Sequence, residues 1–305
     1  MKTILVTGGT VFVSRYAAAY FAQQGYRVYT LNRGTRPQSA GVTLIQADRH
    51  ALGNALRGLH FDAVLDITAY TAEDVDQLMD ALDEYGQYIL LSSSAVYPET
   101  TSQPFSETAA VGPNRFWGQY GVGKIEAERT ALRRDPHAVV LRPPYLYGPF
   151  NNVYREAFVF DCALQDRPFY LPGQGQLPLQ FFHVEDLCRF IALLLNQTPR
   201  EQIFNLGNPD TVTVRQWVEL CYQLAGRQPV FVPVPSCVEQ RSYFSFYDYA
   251  YRLDVERQRA LLPAVKPLQQ GLYESLQWYL QEPDAVIKKT FFTYIDQHLG
   301  SLCTT

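Results

Sequence analysis

Residues Lys2 to Ser14 restrict this chain more than any other stretch. Lys2-Thr3-Ile4-Leu5-Val6 is a short, apolar, β-branched run that breaks into Thr7-Gly8-Gly9-Thr10-Val11-Phe12-Val13-Ser14 ahead of an Ala-, Tyr- and Phe-rich segment, Arg15 to Gln24. The run reads as a strand and the segment as a helix. A strand, a tight glycine turn and a helix start, in that order, bring backbone N–H groups and the positive end of a helix dipole to one point. That suits the diphosphate of a dinucleotide, and Gly8, Gly9, Thr10, Val11 and Phe12 are the candidate contacts. The three-glycine pattern is incomplete, because its two later positions hold Val11 and Ser14. Val11 crowds the approach to phosphate, and Ser14 loosens the packing of helix on sheet. Parallel α/β proteins that bind no dinucleotide also carry such turns.

The chain continues in the same rhythm. Tyr26 to Leu31 reads as a second strand, ending in Asn32-Arg33-Gly34-Thr35-Arg36. An acid at that strand end accepts hydrogen bonds from the adenosine ribose in NAD, whereas basic residues there accommodate the 2′-phosphate of NADP. Asn32 holds the acid position with Arg33 and Arg36 beside it, which leans toward NADP and leaves NAD open. Val42 to Gln46 is a third strand followed by Asp48-Arg49, an expected adenine-edge contact. Ala63 to Tyr70 is a fourth strand with its carboxyl-end loop, where Ala69 and Tyr70 are further cofactor candidates. Ala72 to Leu82 has helical period, and Tyr88 to Leu91 is a fifth strand running into Ser92-Ser93-Ser94. Alternating strands and helices predict an α/β fold, a Rossmann-type doubly wound parallel sheet with its ligand site beyond the strand carboxyl ends.

Tyr120-Gly121-Val122-Gly123-Lys124 opens the next helix, and a spacing of four puts phenol and ammonium on one face about one turn apart. An ammonium beside a phenol stabilises the phenolate and so lowers its pKa, and it can bond a ribose hydroxyl. Ser93 or Ser94, at the end of the fifth strand, supplies the further hydroxyl of a proton relay to a substrate alcohol or carbonyl. A tyrosine and a lysine so spaced are elsewhere often a mere surface pair; here they follow the glycine turn and the serine-rich strand end in order.

Composition narrows the partners. A formal net charge of −4 argues against broad electrostatic binding of nucleic acid. No apolar run approaches the roughly 18 residues that span a bilayer, and no signal pattern opens the chain, so a cytoplasmic protein without membrane contact is expected. Cys162, Cys188, Cys221, Cys237 and Cys303 are widely spaced, with no Cys-x-x-Cys, and read as buried free thiols.

The motifs now in hand resemble the extended short-chain dehydrogenase/reductase superfamily, in its NAD-dependent epimerase/dehydratase family, from Thr3 to about Trp278. The resemblance rests on Thr7-Gly8-Gly9 with Phe12, Ser92-Ser93-Ser94-Ala95-Val96-Tyr97, Tyr120-x-x-x-Lys124, Arg142-Pro143-Pro144-Tyr145-Leu146-Tyr147-Gly148-Pro149, His183-Val184-Glu185-Asp186 and Phe204-Asn205-Leu206-Gly207-Asn208. It implies Tyr120 as general acid/base, Lys124 as its partner and ribose ligand, Ser93 as the third member, and Pro143, Pro144 and Tyr145 along the nicotinamide. Relatives that dehydrate sugars carry an Asp-Glu pair where this chain has Ser94-Ala95, so epimerisation or carbonyl reduction is implied instead. Nucleotide-sugar enzymes of the family commonly place Asn at Tyr145 and a basic residue near Leu179. Ser94, Tyr145, Asn152, Arg155 and Arg252 are the substrate candidates here. The substrate expected is a sugar, free or nucleotide-linked, and a homodimer is implied. The Tyr145 variant also resembles the chloroplast RNA-binding offshoot, which generally lacks the catalytic tyrosine kept here, so a catalytically silent dinucleotide- or RNA-binding regulatory protein is the alternative.

The expected layout is a cofactor domain over residues 1–150 and a mainly substrate-binding lobe over 151–305, with some segments returning to the first domain. Asn151 to Gln165, Leu187 to Leu195, Thr213 to Ala225, Leu268 to Leu280 and Thr290 to Leu299 read as helices, with Thr213 a candidate cap, and Pro168 to Pro172 as a short strand. His183 reads as structural, and the aromatic stretch Ser242 to Arg252 as core rather than as a stacking surface.

Overall fold

The computed structural model describes residues 1–197 and 199–304, with the side chains of 303 and 304 set aside. In chain order its elements are β1 Thr3–Thr7, α1 Phe12–Gln23, β2 Arg27–Asn32, β3 Val42–Gln46, β4 His60–Asp66, α2 Ala72–Ala81, β5 Glu84–Leu91, α3 Gly118–Arg134 and β6 Val139–Arg142. Then come β7 Tyr145–Tyr147, α4 Glu156–Leu164, β8 Phe169–Pro172, β9 Pro178–Leu179, β10 Phe181–His183, α5 Val184–Asn196, β11 Ile203–Asn205 and β12 Val212–Thr213. The last are α6 Val214–Leu224, β13 Phe231–Val234, α7 Glu256–Leu261, α8 Leu268–Gln281 and α9 Phe291–His298. None of the described helices is long and apolar enough to cross a membrane.

The chain forms two compact units. The first comprises Met1–Leu146, Phe182–Pro209 and Leu253–Val265. Its core is a seven-stranded sheet of order β11-β6-β5-β4-β1-β2-β3, and every pairing recorded in it is parallel. Such a sheet is covered on both faces, so the middles of its central strands are continuously buried, as in β1 Ile4–Thr7 and the later halves of β4 and β5, while edge strand β3 stays partly exposed. Ile4 and Val6 of β1 join Ala63 and Leu65 of β4 against α1 and α5 on one face. Leu5 and Val64 face α2 and α3 on the other. The order doubles back at β1, where strands to either side depart in opposite directions, and that switch point lies at the carboxyl end next to the glycine turn.

The second unit comprises Tyr147–Phe181, Asp210–Arg252 and Lys266–Thr305. It pairs β8 with β13 in parallel and β9 with β12 antiparallel, beside α4, α6, α8 and α9. Thr213 caps α6 as expected, with Gln216 closing a capping box. Two expectations need correction. The helix read from Asn151 starts only at Glu156, because Asn151 turns the chain itself: its Oδ1 accepts from Val153 N at 3.1 Å and its Nδ2 donates to Glu156 Oε1 at 2.8 Å. Cys162, Cys188 and Cys221 are buried and free as read, but Cys237, in the loop after β13, is exposed; the Cys303 side chain lies outside the described ones. The aromatic stretch is a loop whose rings enter the core, with Phe246 edge-on to Trp217 at 5.3 Å.

Candidate active site

The glycine turn after β1 has the backbone that dinucleotide binding requires. Gly8 and Gly9 sit at φ +89° and +96°, a region open to glycine because it has no Cβ. A Cβ on Gly9 would strike Thr30, and one on Gly8 would strike Ser14. Val11 precedes α1 in extended conformation, no side chain caps that end, and the first turn carries no acid. Its N–H groups and the positive end of the dipole therefore suit an anion, so the residues present fit a dinucleotide diphosphate. Ser14 does not loosen this corner: its Oγ donates to Val11 O at 2.9 Å and its side chain fills the space against Gly8.

At the end of β2, Asn32 is engaged inside the protein. Its Nδ2 donates to Gly8 O at 2.6 Å and to Gln38 Oε1 at 3.0 Å, while its Oδ1 accepts from Gly34 N at 2.9 Å. The side chain fixes the loop to the glycine turn, and Arg33 and Arg36 stand exposed on that loop. Asp48 is exposed and accepts from His50 N at 3.0 Å. Arg49, expected at the adenine edge, turns inward instead. It bonds both oxygens of fully buried Asp66 (3.2 and 3.3 Å), Thr68 Oγ1 (2.9 Å) and Asp74 O (2.7 Å). The reason is electrostatic: Asp66, also bonded by Thr7 Oγ1 and Tyr88 Oη, needs a countercharge in the sheet interior.

Tyr120 and Lys124 lie in the first half of α3. Gly121 allows the helix to lie against the loop after β5, since a Cβ there would come 2.6 Å from Ala95 O; Gly123 does the same against the Tyr70 carbonyl. Lys124 is carried into the interior, 2 % exposed. Two of its three ammonium protons go to Ala69 O (2.7 Å), in the loop after β4, and Leu91 O (2.8 Å), at the end of β5. Burial pulls its pKa down to about 8, against opposing pulls from Asp66, Glu128 and Asp74. Tyr120 stays accessible, 41 % exposed, with its ring centre 5.9 Å from Lys124 Nζ. Ser93 Oγ accepts from Ala95 N at 3.2 Å, which leaves its own proton to donate. Ser94 and Pro143 are buried, and Tyr145 is half-buried with its ring 6.2 Å from Trp117.

Beneath the pair lies a buried polar clamp that sequence reading missed. Glu128, one turn beyond Lys124, takes two bonds from Arg142 at the end of β6 (2.9 and 2.6 Å) and one from Ser92 Oγ. Arg142 also donates to Tyr97 Oη (2.8 Å), which donates to Asn205 Oδ1 (2.8 Å) at the end of β11. The spacing of 120, 124 and 128 was the available signal: three polar residues on one helical face. The remaining candidates, Asn152, Arg155 and Arg252, belong to the second unit. Asn152 is half-buried and its carbonyl accepts from Ile287 N at 2.9 Å, Arg155 is half-buried just before α4, and Arg252 is exposed. His183 is fully buried and caps α5, its Nδ1 accepting from Glu185 N at 3.2 Å.

Among known proteins, the chloroplast stem-loop binding protein of 41 kDa b from Arabidopsis thaliana is 28% identical over 284 residues, covering 86% of this chain and 74% of that protein. The UDP-glucose 4-epimerase of Corynebacterium glutamicum is 25% identical over 284 residues, covering 78% and 83%. A solved dTDP-glucose 4,6-dehydratase from Bacillus anthracis, in complex with NAD, superposes with a TM-score of 0.74 at 18% identity, over 94% of this chain and 99% of that one. Residues 4–207, from β1 into the loop after β11, match a single family description. With the glycine turn, the Tyr120–Lys124 helix and the strand order all lying in that span, the chain belongs to the NAD dependent epimerase/dehydratase family.

Proposed function

We propose that this protein is an NAD(P)-dependent epimerase or reductase acting on a nucleotide sugar or a related sugar or polyol. The observation that carries the reading is Lys124: a buried ammonium held by the carbonyls of Ala69 and Leu91, one helical turn from an accessible phenol, Tyr120. A nicotinamide held here would supply hydride acceptance and return. Gly8, Gly9 and the first turn of α1 would hold the diphosphate, Pro143 and Tyr145 would lie along the nicotinamide, and Ala69 and Tyr70 would be further cofactor contacts. Tyr120 takes the proton of the substrate hydroxyl as it is oxidised and returns it on reduction. The charge on Lys124 favours the phenolate, and Ser93 donates to the substrate oxygen. Ser94-Ala95 offers no acid–base pair for removing water, so dehydration is not part of the proposal.

Exposed Arg33 and Arg36, with Asn32 turned away into the glycine turn, favour NADP. Relatives and neighbours whose names and complexes involve nucleotide sugars and NAD support the substrate class. The test is to release any ligand from freshly purified protein, identify it by mass spectrometry, and titrate NAD(H) and NADP(H) into wild type and Tyr120→Phe. Tyr120→Phe is expected to keep cofactor affinity and lose turnover by about 10²- to 10⁴-fold. A wild type that binds neither dinucleotide sinks the reading.

A second reading, RNA binding, is favoured by the 28% identity to the stem-loop binding protein. Its test is titration of a labelled stem-loop RNA at increasing salt; saturable binding by a protein that takes up no dinucleotide supports it. The acidic net charge weighs against it.

A further inference from the structure

One aromatic side chain beside Lys124 is closer to the ammonium than Tyr120 is. Tyr70, in the loop after β4, has its ring centre 4.8 Å from Lys124 Nζ, against 5.9 Å for Tyr120, and the two rings are 6.2 Å apart at 52°. The loop is fixed from both sides. Tyr70 N donates to Asp74 Oδ2 at 2.7 Å, the preceding residue's carbonyl, Ala69 O, accepts from Nζ, and Gly123 lies against the Tyr70 carbonyl so closely that any side chain there would collide.

The ammonium is held by neutral groups. Its two recorded hydrogen bonds end on carbonyls. The charged groups around it are Asp66 on β4, Asp74 on α2, Glu128 on its own helix and Arg49 after β3. Asp66 and Asp74 are already engaged with Arg49, and Glu128 with Arg142. The face of an aromatic ring attracts a cation within about 6 Å of its centre, more strongly where water is excluded. Tyr70 is about half exposed as a residue, and desolvation of its buried part, with Asp74 nearby, raises its own pKa. Tyr70 therefore remains a neutral phenol where Tyr120 works.

We propose that Tyr70 is a positioning residue for Lys124: its ring face keeps the buried ammonium charged and oriented along α3, so that the Tyr120 phenol titrates lower than it would beside a neutral amine. This deepens, and rests on, the reading of Tyr120 as acid/base.

The experiment follows the Lys124 Cε and Tyr120 Cζ resonances against pH in full-length protein carrying ¹³C-labelled lysine and tyrosine, assigned with Lys124→Met and Tyr120→Phe. Wild type is compared with Tyr70→Phe, which keeps the ring, and Tyr70→Leu, which keeps apolar cover; Tyr70→Met replaces the latter if it does not fold. The expected result is a fall in the Lys124 midpoint and a rise in the Tyr120 midpoint, each by about half a pH unit or more, in Tyr70→Leu, with Tyr70→Phe unchanged. Unmoved midpoints in Tyr70→Leu, a rising Lys124 midpoint, or an equal shift in Tyr70→Phe overturns the proposal. Midpoints are read without turnover. An active enzyme with unmoved midpoints removes the role of Tyr70 alone, and shifted midpoints in a protein without turnover sink the enzyme reading alone.

Discussion

Arg33 and Arg36 show how one position of sequence acquires meaning from its neighbours. Both are exposed on a loop whose shape is set by Asn32, held to Gly8 O and Gln38. With the asparagine amide engaged, the loop presents charge rather than a hydroxyl acceptor. Replacing both arginines by alanine is expected to weaken NADPH binding about tenfold or more, the loss of a charge-assisted contact, and to leave NADH nearly unchanged; calorimetric titration of both cofactors measures the difference. Equal loss for the two would remove the case for NADP. The arginines themselves were legible in the sequence. The engagement of Asn32 was not, since Gln38 gave no sign of reaching back across the loop.

Helix α3 is the element on which the candidate chemistry rests, and it is held by charge as well as by apolar packing. Glu128 and Arg142 are 3 % exposed each and bonded through two contacts. Glu128→Ala leaves the Arg142 guanidinium buried without its carboxylate, and the expected destabilisation is about 3–5 kcal/mol by urea unfolding. A loss under about 1 kcal/mol would mean that water or Tyr97 compensates. The helix and its Tyr-Lys spacing were readable because a period of 3.6 residues is local. The clamp was not readable, because residues 92, 97, 128, 142 and 205 meet only when parallel crossovers bring the ends of β5, β6 and β11 together. Local spacing also failed at α4, where the Asn151 turn replaces the first helical residues.

For the molecule as a whole, a buried Lys124 couples stability to pH. Its pKa falls from 10.5 in the unfolded chain to about 8 on folding, chiefly through desolvation. Between those values the folded state binds fewer protons than the unfolded state, so stability from this group rises with pH across the window, and its full cost of about 3 kcal/mol applies below pH 8. Lys124→Met removes the coupling. The unfolding free energy of the variant minus that of the wild type should therefore fall, by up to about 3 kcal/mol, as pH rises from 8 to 10.5 and the wild type is relieved of its buried charge, measured by denaturant unfolding at each pH; a constant difference would contradict a depressed pKa. The sequence by itself determined the parallel α/β class, the glycine turn and the Tyr120–Lys124 pair, because strand period, helix period and turn chemistry act over a few residues. Only the tertiary structure decided that Arg49 serves Asp66, that Asn32 serves the turn, and that Tyr70 lies over Lys124. Those outcomes depend on which charges and rings are forced into one interior, and that is fixed by strand order rather than by neighbours in the chain.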